Sequence, residues 1–581
     1  MTPEIAFVLV LFVAAAILLA TERIPPDAVA LLLLVLLVAS GIMDVASALQ
    51  GLASEAILIL ACIMVLSRRL SDSGIMNRLT ARLAGRSERA PRSIMVRLML
   101  ASAGLSTVVS NTSTTAVMMP LAQDAARRAN CRPGLFLMPM AFASILGGSA
   151  TLIGTSTNLA ASSVVTRLGL EPFGLFEFFW VGLAVTLAGV TLMALVGDRL
   201  IAAEPGDAAD APPEPLFMAT IAIDEAAAGG GKPLSELGLA DLGVTPLAID
   251  TSKGRVAVHP RRKLHAGDRV IVHADAEALA HLTGGGRLSL FGIGDAPPGR
   301  QFAQAVLLPG SHWIGVSVAR MRQEIGDDIT VVGLRRLGTE QVARIGRMRL
   351  RVGDILLMAG TAQAVERIRA DIDIHLLSPD APPRPTRREG WFTLGAMLSA
   401  ILLGATGVLP LGIALLAAVL GLVLTDRFST QDVFGMISWR VLILIGGMSS
   451  FGAAMLETGT AEWLAHLILD WVAPFGMTAV LLSLSLLTVV LTQPMSNAAA
   501  ALTILPIALA LAPTLGVDPR PLAVVVTLSA SLSFIAPLEP ALLLVYGQSR
   551  YRLLDFVRAG LPLTALSVLI VVGLVPRIWP L

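Results

Sequence analysis

Apolar residues dominate two long stretches of the chain, 1–200 and Trp391 to the end, while residues 204–390 change character every few positions. In the first stretch the pattern predicts spanning helices near 4–20, 28–42 and 54–68. A segment with eight arginines from Arg68 to Arg97 follows. It is amphipathic in its middle and is expected to lie along the cytoplasmic membrane surface. Residues 98–123 then carry no charge for 26 positions, yet centre on six polar residues, Ser110-Asn111-Thr112-Ser113-Thr114-Thr115. Arg127, Arg128 and Arg132 come next, so this segment leaves and returns on one side: a re-entrant hairpin with a polar tip. A span near 135–163, interrupted by GGSATLIGTSTNL (147–159), and one near 176–198 complete the stretch.

The second stretch repeats the order: spans near 392–406, 411–425 and 437–455, an uncharged hairpin over 477–517, a broken span near 520–546 and a last span near 560–577. Five spans per half is an odd number, so the second half is expected upside down. Ten spans and two opposed hairpins result, with both termini outside, the insertion cytoplasmic and the basic loop QSRYRLLDFVR (548–558) also cytoplasmic. This is the inverted-repeat plan of a secondary transporter. The expected divisions are a first membrane repeat over 1–203, polar modules over 204–292 and 293–390, and a second membrane repeat over 391–581.

The polar insertion is bounded by EPGDAADAPPEP (204–215) and SPDAPPRPTRREG (378–390), and it repeats internally. KLHAGDRVIVHADAEALAHL (263–282) parallels RLRVGDILLMAGTAQAVERI (349–368). Each copy reads as strand, Gly-Asp turn, strand and short helix, preceded by an alternating stretch at 244–249 or 329–334, which predicts two tandem α+β modules.

Composition narrows the class. Of 581 residues 55% are hydrophobic and 15% charged, and the mean hydropathy is +0.76, too apolar for a soluble chain of this length. A net charge of +1 argues against nucleic-acid binding. Cys62 and Cys131 match no disulfide or metal spacing, and the seven histidines, among them His375 and His466, lie outside both hairpins. No catalytic triad or phosphate loop stands out, so neither an enzyme nor an ATP-driven pump is expected. The N-terminus lacks a basic region and a cleavage site and reads as the first span. Arg440 reads as snorkelling from a span end, and Glu457 and Glu462 as flanking an outer loop.

The polar tip occurs twice. VVSNTSTTAVMMP (108–120) aligns with QPMSNAAAALTILP (493–506): Ser110 and Ser496 each precede a proline by ten positions, and Ser106 and Thr492 each lie five before an asparagine, Asn111 or Asn497. A backbone that turns at membrane depth survives only where it lines a buried cavity. There the N–H groups opening a half-helix attract an anion, and Ser, Thr, Asn and carbonyl oxygens can replace water around Na⁺. Gly148, Gly154 and Thr155 in the first broken span would let the backbone approach such a ligand. An intramembrane carboxylate, Glu539 in SASLSFIAPLEPALLLVYG (529–547), is a candidate coupling group at the second site, as a proton carrier or a Na⁺ ligand.

SNTSTTAVMMP, GGSATLIGTSTNL and SNAAAALTILP together resemble the divalent anion/sodium symporter family of the ion-transporter superfamily, over about two thirds of the chain. The L-x-x-GD core of the insertion resembles the TrkA-C (RCK-C) domain. The first resemblance implies a homodimer in the inner membrane that carries a di- or tricarboxylate, sulfate or related oxyanion by an elevator mechanism with Na⁺. It also implies Na⁺ ligands at Ser106, Ser110, Asn111 and the Gly154 backbone, and at Thr492, Asn497 and the backbone near Ala536. Substrate contacts are implied at Ser110, Asn111, Thr112, Thr155, Ser496, Asn497 and Pro537. The second resemblance implies a regulatory module that takes a small ligand. Ala498 stands where the family's Ser-Asn-Thr has its threonine, so one substrate hydroxyl is missing, and Glu539 departs from its pattern. A cation/proton antiporter using Glu539 and a membrane solute sensor are the alternatives.

Overall fold

The structure, a computed structural model, divides the chain into two compact units, residues 1–204 with 382–581, and residues 205–381. It describes residues 2–21, 24–73, 91–129, 131–201, 387–425, 430–548 and 551–580 of the first. Of the second it describes 216–223, 233–239, 243–251, 254–259, 261–276, 278–279, 289–290, 301–308, 311–326, 328–336, 345–370 and 374–377. The middle of the arginine-rich segment, the first Pro/Asp linker and residues 378–386 of the second lie outside the described residues.

Among its described residues the apolar unit is built of helices. Its first stretch contains helices Pro3–Thr21, Pro26–Ala39, Val45–Gln50, Glu55–Asp72, Pro91–Ser106, Asn111–Arg128, Gly134–Gly148, Ser156–Arg167 and Phe179–Leu200. The second stretch gives Arg387–Ala405, Leu411–Leu424, Thr430–Met436, Trp439–Glu457, Thr460–Val472, Met477–Thr492, Asn497–Leu515, Pro519–Ala530, Pro540–Gln548 and Leu553–Ile578. Both stretches therefore run through spans, a helix pair, a broken helix and a long last helix in the same order. Among the described residues, six helices are long and apolar enough to cross a membrane. Outward-facing Val10, Val13, Ile17, Leu416, Leu420 and Leu424 are exposed, which a helix tolerates when lipid is its solvent.

One element was not expected. Glu457 ends a helix, Gly459 turns the chain at φ +76°, and Glu462 lies in the first turn of the Thr460–Val472 helix rather than at a loop edge. Ala461, Ala465 and Leu469 are buried while Trp463, Leu467 and Trp471 are exposed. That is the two-faced pattern of a helix carrying an aromatic outer side.

The two stretches interlock. Helix Asn111–Arg128 packs on Gly134–Gly148 of its own stretch and also on Pro540–Gln548 of the other. Reciprocally, Asn497–Leu515 packs on Pro519–Ala530 and on Ser156–Arg167. Each hairpin thus holds the first segment of its own broken helix and the last segment of its counterpart's. Arg520 pins a further cross-link: its guanidinium donates to both carboxylate oxygens of Glu177, at 2.6 and 2.7 Å, and to the carbonyls of Glu171 and Pro172, above the Phe173 ring.

The polar unit is one antiparallel sheet. Its strands are β1 (Phe217–Ala222), β2 (Thr245–Thr251), β3 (Gly254–Val256), β4 (Arg269–Ala274), β5 (Ser289–Leu290), β6 (Gln301–Leu307), β7 (Ile329–Arg335), β8 (Ile355–Gly360) and β9 (Ile374–Leu376). The order is β3-β2-β4-β1-β7-β8-β6-β9, with β5 beside β1. The alternating stretches 244–249 and 329–334 fall on β2 and β7. In each copy the Gly-Asp turn works the same way. Gly267 and Gly353 adopt positive φ, and the following aspartate accepts the backbone N–H three residues back, His265 to Asp268 and Arg351 to Asp354. The strand expected before each turn shrinks to a single bridge, Pro233 to Lys263 and Ser317 to Arg349, because the tight turn leaves too little extended chain to continue the ladder. The second copy has its helix, Ala362–Ala370; part of the segment expected to form the first copy's helix lies outside the described residues. The copies join through β1 and β7, where Gly333 lies against the Phe217 side chain.

Candidate ion and anion site

Ser106 closes helix Pro91–Ser106, three residues turn, and Ser110 opens helix Asn111–Arg128 as its N-cap, accepting the Ser113 N–H. Serine favours this position because its hydroxyl replaces a missing helical acceptor. The five-residue spacing then sets Ser106 opposite Asn111, and the Ser106 hydroxyl donates to Asn111 Oδ1 at 2.9 Å with both side chains buried. Two glycines close the pocket from the broken helix. A Cβ on Gly148 would stand 2.1 Å from Asn111 Oδ1, and one on Gly154 would stand 2.4 Å from the Gly148 carbonyl oxygen and 2.9 Å from that of Ser106. Ser106 Oγ, Asn111 Oδ1 and these carbonyls therefore crowd one small volume that only glycine backbone leaves open.

The break is held by side chains. Asn158 donates to the carbonyls of Ser149 and Thr151, Thr151 Oγ1 donates to the Thr107 carbonyl, and Gly154 N–H donates to Thr151 Oγ1. Thr155 is buried and caps helix Ser156–Arg167 through the Thr157 N–H. Thr112 is partly buried in the first turn behind Asn111. Ser110 is exposed, and its hydroxyl serves the cap, with a second bond to Ser113 Oγ.

The second tip is built alike. Ser496 caps Asn497–Leu515 through the Ala499 N–H, and Thr492 Oγ1 lies 2.7 Å from Asn497 Oδ1 and 2.8 Å from the Ala530 carbonyl oxygen. Ala536 N–H donates to Gln493 Oε1, so Gln493 ties this break as the asparagine ties the first. Pro537 is buried in the same break, and the hydroxyls of Ser531 and Ser533 are buried with no hydrogen-bond partner among the described residues.

Glu539, the coupling candidate, lies at the start of helix Pro540–Gln548, where its Oε2 accepts the Ala541 N–H at 2.7 Å. That helix packs on Asn111–Arg128 of the first hairpin. Sequence reasoning missed the exchange of half-helices and the roles of Thr151, Gln493 and Asn158; the tripled polar spacing in GTSTN was the only trace of the last.

The family model described as "Citrate transporter" (CitMHS) matches residues 16–529. The chain belongs to that family. This citrate-transporter family member is a multi-pass membrane transporter of the divalent anion/sodium symporter type, not an enzyme. It is 27% identical to an uncharacterized transporter of Synechocystis, sll0640, over 97% of this chain and 96% of that one. It is also 27% identical to the uncharacterized transporter YfbS of Escherichia coli over the full length of both. Sodium/sulfate cotransporter 1 of Chlamydomonas reinhardtii is 25% identical over 60% of this chain and 41% of its own length.

Proposed function

We propose that this transporter couples uptake of a small oxyanion, sulfate or a di- or tricarboxylate, to sodium. The observation that carries the reading is the matched pair of tips: Ser106 with Asn111 and Thr492 with Asn497 each aim a hydroxyl and an amide oxygen at a backbone break. Uncharged oxygens at broken helices suit sodium, and the cradle that a Cβ on Gly148 or Gly154 would fill fits a bare ion of that kind. Ser106, Asn111 and the Gly154 backbone would hold one ion, Thr492, Asn497 and backbone near Ala536 a second. Sodium, when bound, supplies positive charge that offsets that of the anion. The N-termini of Asn111–Arg128 and Asn497–Leu515 add partial positive charge and N–H donors toward the anion, with Ser110, Asn111, Thr112, Thr155, Ser496, Asn497 and Pro537 as its contacts.

The interlocked hairpins and broken helices form the body that would move in an elevator stroke, the repeats inverted and the chain paired as a homodimer in the inner membrane. The polar unit would lie in the cytoplasm and regulate the stroke on binding a small ligand, in the manner of TrkA-C modules. The named sulfate activity of the Chlamydomonas cotransporter and the citrate description of the family support the substrate class. Thermal unfolding of the purified protein with sulfate, citrate or succinate, with and without NaCl, tests the reading. Ligand at a hundredfold its Kd adds about 2.7 kcal/mol to stability, so one anion is expected to raise Tm by several degrees only when Na⁺ is present. A response to cations and pH with none to any anion would favour the antiporter instead.

A further inference from the structure

We infer that Gln493 is a positioning residue for the second cation site, an assignment that rests on the sodium-coupled reading above. A break in a helix leaves carbonyls free for an ion. Because those groups lack their helical partners, something else must fix the loop that carries them. The two breaks are fixed differently. In the first the grip comes from within. Three residues after the cap Thr155, Asn158 donates to the carbonyls of Ser149 and Thr151, and Thr151 Oγ1 takes the Gly154 N–H. In the second, the residue three past Glu539 is Leu542, fully buried and apolar. The Ser531 and Ser533 hydroxyls meet no partner among the described residues. The grip comes instead from two consecutive residues of the hairpin tip. Thr492 Oγ1 lies 2.8 Å from the Ala530 carbonyl oxygen at the near end of the break, and Gln493 Oε1 accepts the Ala536 N–H, at 3.1 Å, at the far end. The Gln493 amide can sit only one way round, because the Ala536 N–H only donates and the Val489 carbonyl, 3.0 Å from Nε2, only accepts. Thr492 has one hydroxyl proton and two oxygens in reach, Asn497 Oδ1 and the Ala530 carbonyl. An ion between Thr492 and Asn497 turns that proton to Ala530, so the near end stays tied on loading, and Gln493 holds the far end with the Ala536 backbone.

Positioning and plain helix-to-helix stability separate by the choice of variant. Methionine matches the length of glutamine without its amide, and asparagine keeps the amide one methylene short of Ala536. S485A is the control, because the Ser485 and Ser529 hydroxyls share a buried bond of 2.7 Å between the same two helices, Met477–Thr492 and Pro519–Ala530, away from the tip. The experiment titrates NaCl against Tm in full-length wild type, Q493M, Q493N and S485A, without substrate anion, at an ionic strength held constant with choline chloride. Each saturated site adds the same increment of stability per decade of ligand, so the slope of Tm against log sodium counts the ions held. The loss of an outer partner of a metal ligand costs about ten- to a hundredfold in affinity. Over the decade above wild-type saturation Q493M is therefore expected to show about half the wild-type slope, with the second step displaced about tenfold or more. S485A is expected to lower the Tm in sodium-free buffer and to keep the slope. Q493N gives the same reading should Q493M not fold. Equal slopes in wild type, Q493M and Q493N overturn the assignment and leave sodium-coupled transport standing, as does a fall in S485A as large as that in Q493M. A wild type with no sodium response at all overturns both.

Discussion

Replacing Gly148 with alanine would put a methyl group 2.1 Å from Asn111 Oδ1. The amide has to swing away from Ser106 to make room, and the helix that carries Gly148 is held close to Pro91–Ser106, with Gly147 against the Ala103 backbone and the Ser102 hydroxyl donating to the Met140 carbonyl. G148A is expected to abolish the sodium-dependent Tm rise. Gly104 has open space around its Cβ position, so G104A is expected to keep that response and to gain up to about 1 kcal/mol from helix propensity. A thermal titration with NaCl compares them, and equal responses in G148A and wild type would remove the oxygen cluster from consideration as a cation site. At this scale the sequence announced Asn111 and Ser106 by a spacing that recurs at Thr492 and Asn497. It announced Glu539 as an oddity, but not that the helix it opens packs on the first hairpin. Spacing speaks for residues one turn apart, and nothing local links positions 111 and 539.

Between elements, the Arg520 fork ties the two membrane stretches together. Its two parallel bonds to Glu177 and its bonds to two carbonyls join the start of helix Pro519–Ala530 to the loop that follows Ser156–Arg167. Lysine offers a point charge without the planar fork. R520K is therefore expected to destabilise the protein by about 1.5–3 kcal/mol, the worth of a hydrogen bond to a charged group; a melt identical to that of the wild type would show the tie to be idle. Hairpins and broken helices were legible because polar residues and glycines interrupt apolar runs, which is costly in lipid unless the break is used. The Thr460–Val472 helix was not, since Glu462, His466 and Asp470 dilute its apolar face below the level of a span. Nor were the lone bridges before the Gly-Asp turns, where turn geometry overrode strand pattern.

Over the whole molecule, each residue of the two tips belongs to residues 1–204 or 382–581, and the polar sheet closes a core of its own, from Met218 and Ile271 through Leu334 to Met358. A chain with 205–381 replaced by a long Gly/Ser linker is expected to keep its sodium-dependent stabilisation by anions while losing any response to ligands of the polar unit; loss of the former would make the sheet part of the binding machinery. The division into apolar and polar units was plain from composition, whereas the joining of the two copies through β1 and β7 was not, because the repeat names the strands without saying which edges meet. The exchange of half-helices has a genetic corollary. Helix Asn111–Arg128 packs on Pro540–Gln548 of the other stretch, so selection for revertants of a damaged first hairpin should return second-site suppressors from the opposite end of the gene, beyond the codons of the polar unit, as well as from its own neighbourhood.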